Sequence, residues 1–144
     1  MSAKAREFVD TNILIYSYDQ SSQTKRQQAR QLMERLWQEQ NGCLSVQVMQ
    51  EFLVAVTKKV PMPLSVEEAE EILEDLSKWD YHAPDAVDIL EAIKIQKRYQ
   101  ISFWDANIIN SALKSGCQII WSEDLNAGQV YYSVEVRSPF EEGF

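Results

Sequence analysis

Apolar and polar positions along this chain alternate between strand-like and helical spacing. Residues 6–10 have the compact apolar character of a strand, and 11–18 continue as the apolar start of a helix. Over 25–40 the apolar residues recur every three or four positions. That spacing predicts an amphipathic helix with Ala29, Leu32, Met33, Leu36 and Trp37 facing inward, stopped by Asn41-Gly42. Residues 43–45 predict a second strand, and 46–58 a helix burying Val48, Met49, Phe52, Leu53 and Val56. Pro61-Met62-Pro63 breaks the chain after it.

Ser65 and Glu68 have the spacing of a capping box and open a further helix. Its acids, Glu67, Glu68, Glu70, Glu71, Glu74 and Asp75, alternate with Val66, Ala69, Ile72, Leu73 and Leu76, which makes them a solvated face and not a ligand site. Tyr81-His82 fits a brief strand, Pro84 precedes a helix running to about residue 99, and Ser102 opens another over 102–114 that Gly116 closes. Residues 118–121 form a compact apolar strand and 130–136 a last, weaker one. Short strands separated by helices of this length predict an α/β sandwich with a mainly parallel central sheet, because parallel neighbours need crossovers of about a dozen residues. Such sheets place ligands beyond the carboxyl ends of their strands.

Length and composition add limits. The 144 residues, 45% hydrophobic, make one domain over 1–144 with a sizeable core. No apolar run reaches 18 residues and no hydrophobic leader opens the chain, so the expected location is the cytoplasm, away from any membrane. Cys43 and Cys117, far apart in sequence and without a histidine cluster, read as buried free thiols. The net charge of −8 argues against coating nucleic acid through the overall field but permits a local groove. No P-loop or dinucleotide fingerprint occurs, so no nucleotide cofactor is expected.

The chemistry lies in a few isolated acids. Asp10 is the only charge from Phe8 to Tyr18, Glu51 the only one from Cys43 to Thr57, and Asp105 the only one between Tyr99 and Leu113; Glu123-Asp124 is the only charged pair between Ser115 and Val134. Each lies in a segment assigned to the core, without a local lysine or arginine to offset the cost of burying a carboxylate. Each has a structural alternative. Asp105 with Ser102 fits a capping box, Asp10 can cap its helix, Asp124 can shape a turn, and Glu51 can sit on an exposed helix edge. Gathered at one sheet edge, they would need raised pKa values or a divalent cation. An all-oxygen set favours Mg²⁺ or Mn²⁺ over zinc and suits hydrolysis.

Taken together, Phe8-Val9-Asp10-Thr11-Asn12, Leu44-Ser45-Val46 leading to Glu51-Phe52, Ser102-Phe103-Trp104-Asp105-Ala106 and Ser122-Glu123-Asp124-Leu125 resemble the motifs of PIN domains over essentially the whole chain. The resemblance implies a three-layer α/β/α fold and RNA cleavage with Mg²⁺ or Mn²⁺ held by Asp10, Glu51, Asp105 and Asp124. It implies supporting roles for Thr11, Asn12 and Ser122, and leaves open whether Glu123 or Asn126 also faces the metal. The family includes VapC-type toxins of bacterial toxin–antitoxin pairs, which implies an antitoxin partner docked near the site and a homodimer.

The lone His82 lies in a different segment from every motif and reads as structural. Counting the four acids as neutralised leaves 18 acidic against 14 basic residues, and candidate RNA contacts are Lys58-Lys59, Lys25-Arg26-Arg30 and Lys94-Lys97-Arg98, the first preferred. Rival readings are an aspartyl-phosphate phosphatase, weakened because residue 12 is Asn where that chemistry wants an acid, a silent PIN-like module that binds RNA or protein, and a deoxyribonuclease.

Overall fold

The computed structural model describes residues 4–141; Met1-Ser2-Ala3, part of the opening read as lacking a leader, lie outside them. Six strands form one sheet in the order β3-β2-β1-β4-β6-β5. They are β1 (Arg6–Val9), β2 (Gly42–Ser45), β3 (Asp80–His82), β4 (Cys117–Trp121), β5 (Val130–Tyr131) and β6 (Val134–Arg137), and only β5 is antiparallel to its neighbour. The helices are α1 (Thr11–Tyr16), α2 (Gln23–Glu39), α3 (Val46–Lys58), α4 (Val66–Leu76), α5 (Ala86–Tyr99) and α6 (Phe103–Lys114). They cover both faces in a three-layer α/β/α arrangement. None of the described helices is long and apolar enough to cross a membrane.

Sheet order places the site. From β1 the chain moves to β2 and β3 on one side, then crosses through α5 and α6 to β4 on the other side of β1. The switch point of a parallel sheet is the crevice at the carboxyl ends of the two strands where direction reverses, here β1 and β4. Asp10 follows β1 and Ser122 follows β4, and the Asp10 amide donates to the Trp121 carbonyl at 2.9 Å to hold those ends together.

Most local rules hold. Ser65 and Glu68 form the reciprocal capping box of α4, whose six acids are all exposed. Both cysteines are buried and unbridged. His82 is clamped between Ser111 Oγ at 2.8 Å and Asp88 Oδ2 at 3.0 Å, which joins β3 to α5 and α6. The Asp88 carboxyl is held below its ordinary value, foremost by the Asp85 backbone N–H and also by His82.

Four expectations are corrected. Trp37 is 39% exposed at the edge of α2, where it meets Trp79 edge to face at 5.2 Å. Met49 and Leu53 are only half-buried, because the inward stripe of α3 runs through Val48, Phe52 and Val56. The reversal after α2 falls on Gln40, with φ of 57°, and not on Asn41-Gly42. The weak strand over 130–136 is a hairpin of two strands around Tyr132 and Ser133, because Tyr132 adopts φ of 54° and turns the chain back.

Gly42 belongs to β2 for a packing reason. A Cβ there would clash with the Trp79 indole at Cζ3, Cη2 and Cε3. Gly42→Ala is therefore expected to destabilise the protein by about 2 kcal/mol through overpacking, read as a lower urea midpoint with an unchanged m-value. An unchanged midpoint would mean that Trp79 moves aside freely.

Candidate metal centre at the carboxyl edge of the sheet

Asp10 is the N-cap of α1 and is buried to 7% exposure. Its Oδ1 accepts the Thr11 N–H at 2.7 Å and its Oδ2 accepts the Ser122 hydroxyl at 2.8 Å. The Asn12 amide donates to Asp10 Oδ2 at 3.4 Å and to Asp124 Oδ2 at 3.0 Å, so one side chain bridges two carboxylates. Thr11 Oγ1 donates to Glu51 Oε1 at 3.2 Å. The three residues singled out as supports thus tie Asp10, Glu51 and Asp124 into one web.

Burial pushes the Asp10 carboxyl up to about 6, against the lowering effect of Ser122 and Thr11, and the charges of Asp124 and Glu51 push the same way. Among the described residues no lysine or arginine forms an ion pair with Asp10, Glu51, Asp105 or Asp124. A buried carboxylate without a counter-charge is costly, and a bound cation would remove that cost.

Only Asp10 of the four is buried, which corrects the expectation that each lies near the core. Glu51 and Asp124 are exposed and Asp105 is half-buried. Glu51 falls one position from the inward stripe of α3, and Asp124 sits in the turn after β4. Asp105 stands in the first turn of α6. Its N–H is capped by Ser102 Oγ at 3.1 Å, but its carboxylate returns no bond to the Ser102 backbone, so the capping box is only half formed. Asp105 bonds to none of the other three acids. Its helix is fixed beside theirs, since Asn107 Nδ2 donates to Gln47 Oε1 at 2.7 Å, one turn before Glu51 on α3.

The Glu123 carboxylate turns away. It accepts the Tyr16 hydroxyl at 2.9 Å and pairs with Lys25, while its backbone N–H donates to Asn12 Oδ1 at 3.0 Å. Nothing in the sequence pattern flagged this clasp of Tyr16 and Lys25, which commits Lys25 to a protein partner and leaves Asp124 facing Asn12.

An open cleft of about 480 Å³ lies over Thr11, Asn12, Glu51 and Asp124, with Ile15, Val54 and Lys59 on its walls. Lys59, from the preferred basic pair, is its cation. A larger hollow of about 540 Å³ beside β4 and β6 holds charges already paired, Glu7 with Arg35 and Glu135 with Arg137.

Among the described residues no group of three or more His, Cys, Asp or Glu side chains is drawn together closely enough to hold an ion. The carboxylates are spaced by Thr11 and Asn12 instead. This fits a hard cation that takes one or two carboxylates and keeps most of its water, as Mg²⁺ does, and does not fit a dry tetrahedral cage. Zinc is disfavoured on the same ground, since no cysteine or histidine faces the web.

Comparison with known proteins agrees with this fold. A family model described as PIN domain matches residues 8–131. No curated protein matches the sequence. Among solved structures, a toxin–antitoxin complex from Klebsiella pneumoniae is similar with a TM-score of 0.68 at 18% identity, covering 96% of this chain and 99% of that one. The sarcin–ricin-loop-cleaving toxin VapC20 of Mycobacterium tuberculosis aligns with a TM-score of 0.63 at 21% identity, over 82% of this chain and 89% of that one. DNA-bound VapBC from Salmonella typhimurium aligns with a TM-score of 0.64 at 15% identity, over 94% and 99%.

Proposed function

This chain belongs to the PIN-domain family, and from that premise we propose that it is a Mg²⁺- or Mn²⁺-dependent endoribonuclease, the toxin of a toxin–antitoxin pair, acting as a single domain in the cytoplasm. The observation that carries the reading is Asp10: buried, in no ion pair among the described residues, and bonded through Asn12 and Ser122 into the web that includes Asp124.

In this reading Asp10, Glu51, Asp105 and Asp124 hold the cation, directly or through its water. Bound there, it would supply an electrophile for the phosphate and a water of lowered pKa. The protein's own work is orientation. Ser122 and the Thr11 N–H fix both oxygens of Asp10, Asn12 sets Asp124 against it, and Thr11 steadies Glu51. Outer partners of this kind keep ligating oxygens aimed before the ion arrives. Lys59 at the cleft wall would meet the RNA phosphates.

An antitoxin is the proposed protein partner, and a second copy of the chain its proposed neighbour in a homodimer. Support for the antitoxin comes from two similar structures, a toxin–antitoxin complex and a VapBC assembly. The second and third helices offer exposed apolar contacts, Trp37 at 39% and Val54 at 47%, the latter on the cleft wall.

The test is cleavage of mixed structured RNAs, with single-stranded DNA alongside, in Mg²⁺ or Mn²⁺, with and without chelator, for the wild type and Asp105→Asn. Asp105→Asn is expected to cost at least about a hundredfold in rate, beyond the 10- to 100-fold of losing an outer partner. RNA cutting lost with chelator and reduced in the variant supports the reading. Cutting of DNA alone would make it a deoxyribonuclease, and cation binding without cutting a binding module.

A further inference from the structure

Tyr132 is the one non-glycine residue, among those described, whose positive φ does not close a helix; Gln40 and Gln100, with φ of 57° and 54°, both end helices, where that conformation is ordinary. Tyr132 opens the two-residue turn between Tyr131 and Val134, at φ of 54°. Turns of this length take glycine, asparagine or aspartate at positive φ, and an aromatic residue there carries backbone strain. The turn nevertheless presents a large ring to solvent, 44% exposed.

The ring does not stand alone. The Arg98 guanidinium lies over it at 4.7 Å and over Tyr99 at 5.4 Å, Tyr99 meets it edge to face at 5.6 Å, and the Tyr99 hydroxyl accepts the Tyr132 N–H at 3.3 Å. Lys94, Lys97 and Arg98 share the exposed end of α5 and form no ion pair among the described residues, in a chain whose net charge is −8. The cluster also borders the candidate centre. Tyr99 leads through two residues to the Ser102 cap of α6, in whose first turn Asp105 stands. Tyr131, buried beside Tyr99 at 4.8 Å, leads directly into the turn.

We propose that Tyr132, with Arg98 and Tyr99 behind it and Lys94 and Lys97 beside it, is a stacking platform for an unpaired base of the RNA substrate, next to the α6 side of the site. Aromatic rings on which bases stack, flanked by cations that meet phosphates, are the recurring chemistry of single-strand binding. A duplex, whose bases are already stacked, gains nothing from such a ring. The platform rests on the ribonuclease reading and adds to it the surface that would hold one base of the substrate strand.

The test measures fluorescence anisotropy of a labelled unpaired RNA 12-mer, and of the same sequence as a duplex, in Mg²⁺ on the Asp10→Asn background so that no strand is cut. Tyr132→Gly removes the ring at a position whose backbone glycine prefers, so its melting temperature should hold or rise. Its Kd for the single strand should rise by about 5- to 10-fold, with duplex affinity unchanged and Tyr132→Phe matching the parent. An unchanged single-strand Kd for Tyr132→Gly, or an equal loss for the duplex, would overturn the platform even though the parent binds RNA. If the parent binds neither RNA, the platform fails, while the ribonuclease reading stands or falls separately on cleavage by the wild type.

Discussion

Asp10→Asn is expected to abolish RNA cleavage, by about a thousandfold or more, while making the metal-free protein more stable at neutral pH. The two halves have one cause. Asparagine caps a helix as well as aspartate does, so the Thr11 N–H keeps its acceptor and the start of α1 is preserved. What the change removes is charge. The Asp10 carboxyl moves from an ordinary 3.8 to about 6 in the folded state, chiefly through burial. Between those pH values the unfolded chain gives up its proton before the folded one does, so stability falls as pH rises through that window and stays lower above it. The full cost corresponds to about 3 kcal/mol. Because an amide meets two donors, Ser122 and Asn12, where the carboxylate met them as an acceptor, the expected gain is about 1–3 kcal/mol at pH 7.5, shrinking towards zero near pH 4.

Thermal melts with chelator and with Mg²⁺ or Mn²⁺ check this. The wild type should be raised by the cation as mass action requires, and Asp10→Asn should not. If the metal-free variant melts below the wild type at every pH, Asp10 is a structural cap and its charge is not held in reserve for a cation.

How far the site could be read without coordinates differs from residue to residue. Asp10, Ser65 with Glu68, and Ser102 were legible because their meaning is local: each follows a strand or loop and precedes an apolar helical run, and the caps form as the spacing dictates. Thr11, Asn12 and Ser122 are legible as neighbours of the acids, yet their bonds cross from one segment to another and appear only once β1 and β4 lie side by side. Glu51 and Asp124 show the limit of reasoning from isolated charges. An acid flanked by apolar residues can still face solvent, since a helix turns about 100° per residue and Glu51 stands just outside the stripe of Phe52. The hairpin at Tyr132 was hidden because a tyrosine at positive φ contradicts local preference, and Trp37 because its partner, Trp79, is distant in sequence.

Glu7 was missed for the opposite reason. The sequence pattern gives no sign of a partner for a charge inside a short apolar strand, but β1 is central, with β2 and β4 on either side and helices above and below, so Glu7 is buried. Arg35 of α2 forks onto Glu7, Nη2 to Oε1 at 2.7 Å and Nη1 to Oε2 at 3.0 Å. Trp121 Nε1 donates to Oε1 at 2.7 Å and Asn41 Nδ2 to Oε2 at 3.1 Å. Burial alone would raise the Glu7 carboxyl, but these donors outweigh it and hold it below its ordinary value.

Glu7→Ala is therefore expected to cost about 2–3 kcal/mol, because it removes the buried acceptor that Arg35, Trp121 and Asn41 share, while Arg35 keeps Glu39 and Asn41 keeps the Ala5 carbonyl. Arg35→Ala should cost less, since Arg35 is 38% exposed and Trp121 and Asn41 would still satisfy Glu7. The sign with pH is opposite to that of Asp10. A depressed carboxyl adds stability above its unfolded pKa and loses it as pH falls through the folded one, so the penalty of Glu7→Ala should be largest at neutral pH and narrow in acid. Urea unfolding of both variants at pH 7.5 and near pH 3 reads this directly. Equal penalties at both pH values would show that Glu7 stabilises by packing alone. Trp121 immediately precedes Ser122, so the loss of Glu7 should also loosen the strand end that aims Ser122 at Asp10, lowering cation affinity in the fraction that remains folded.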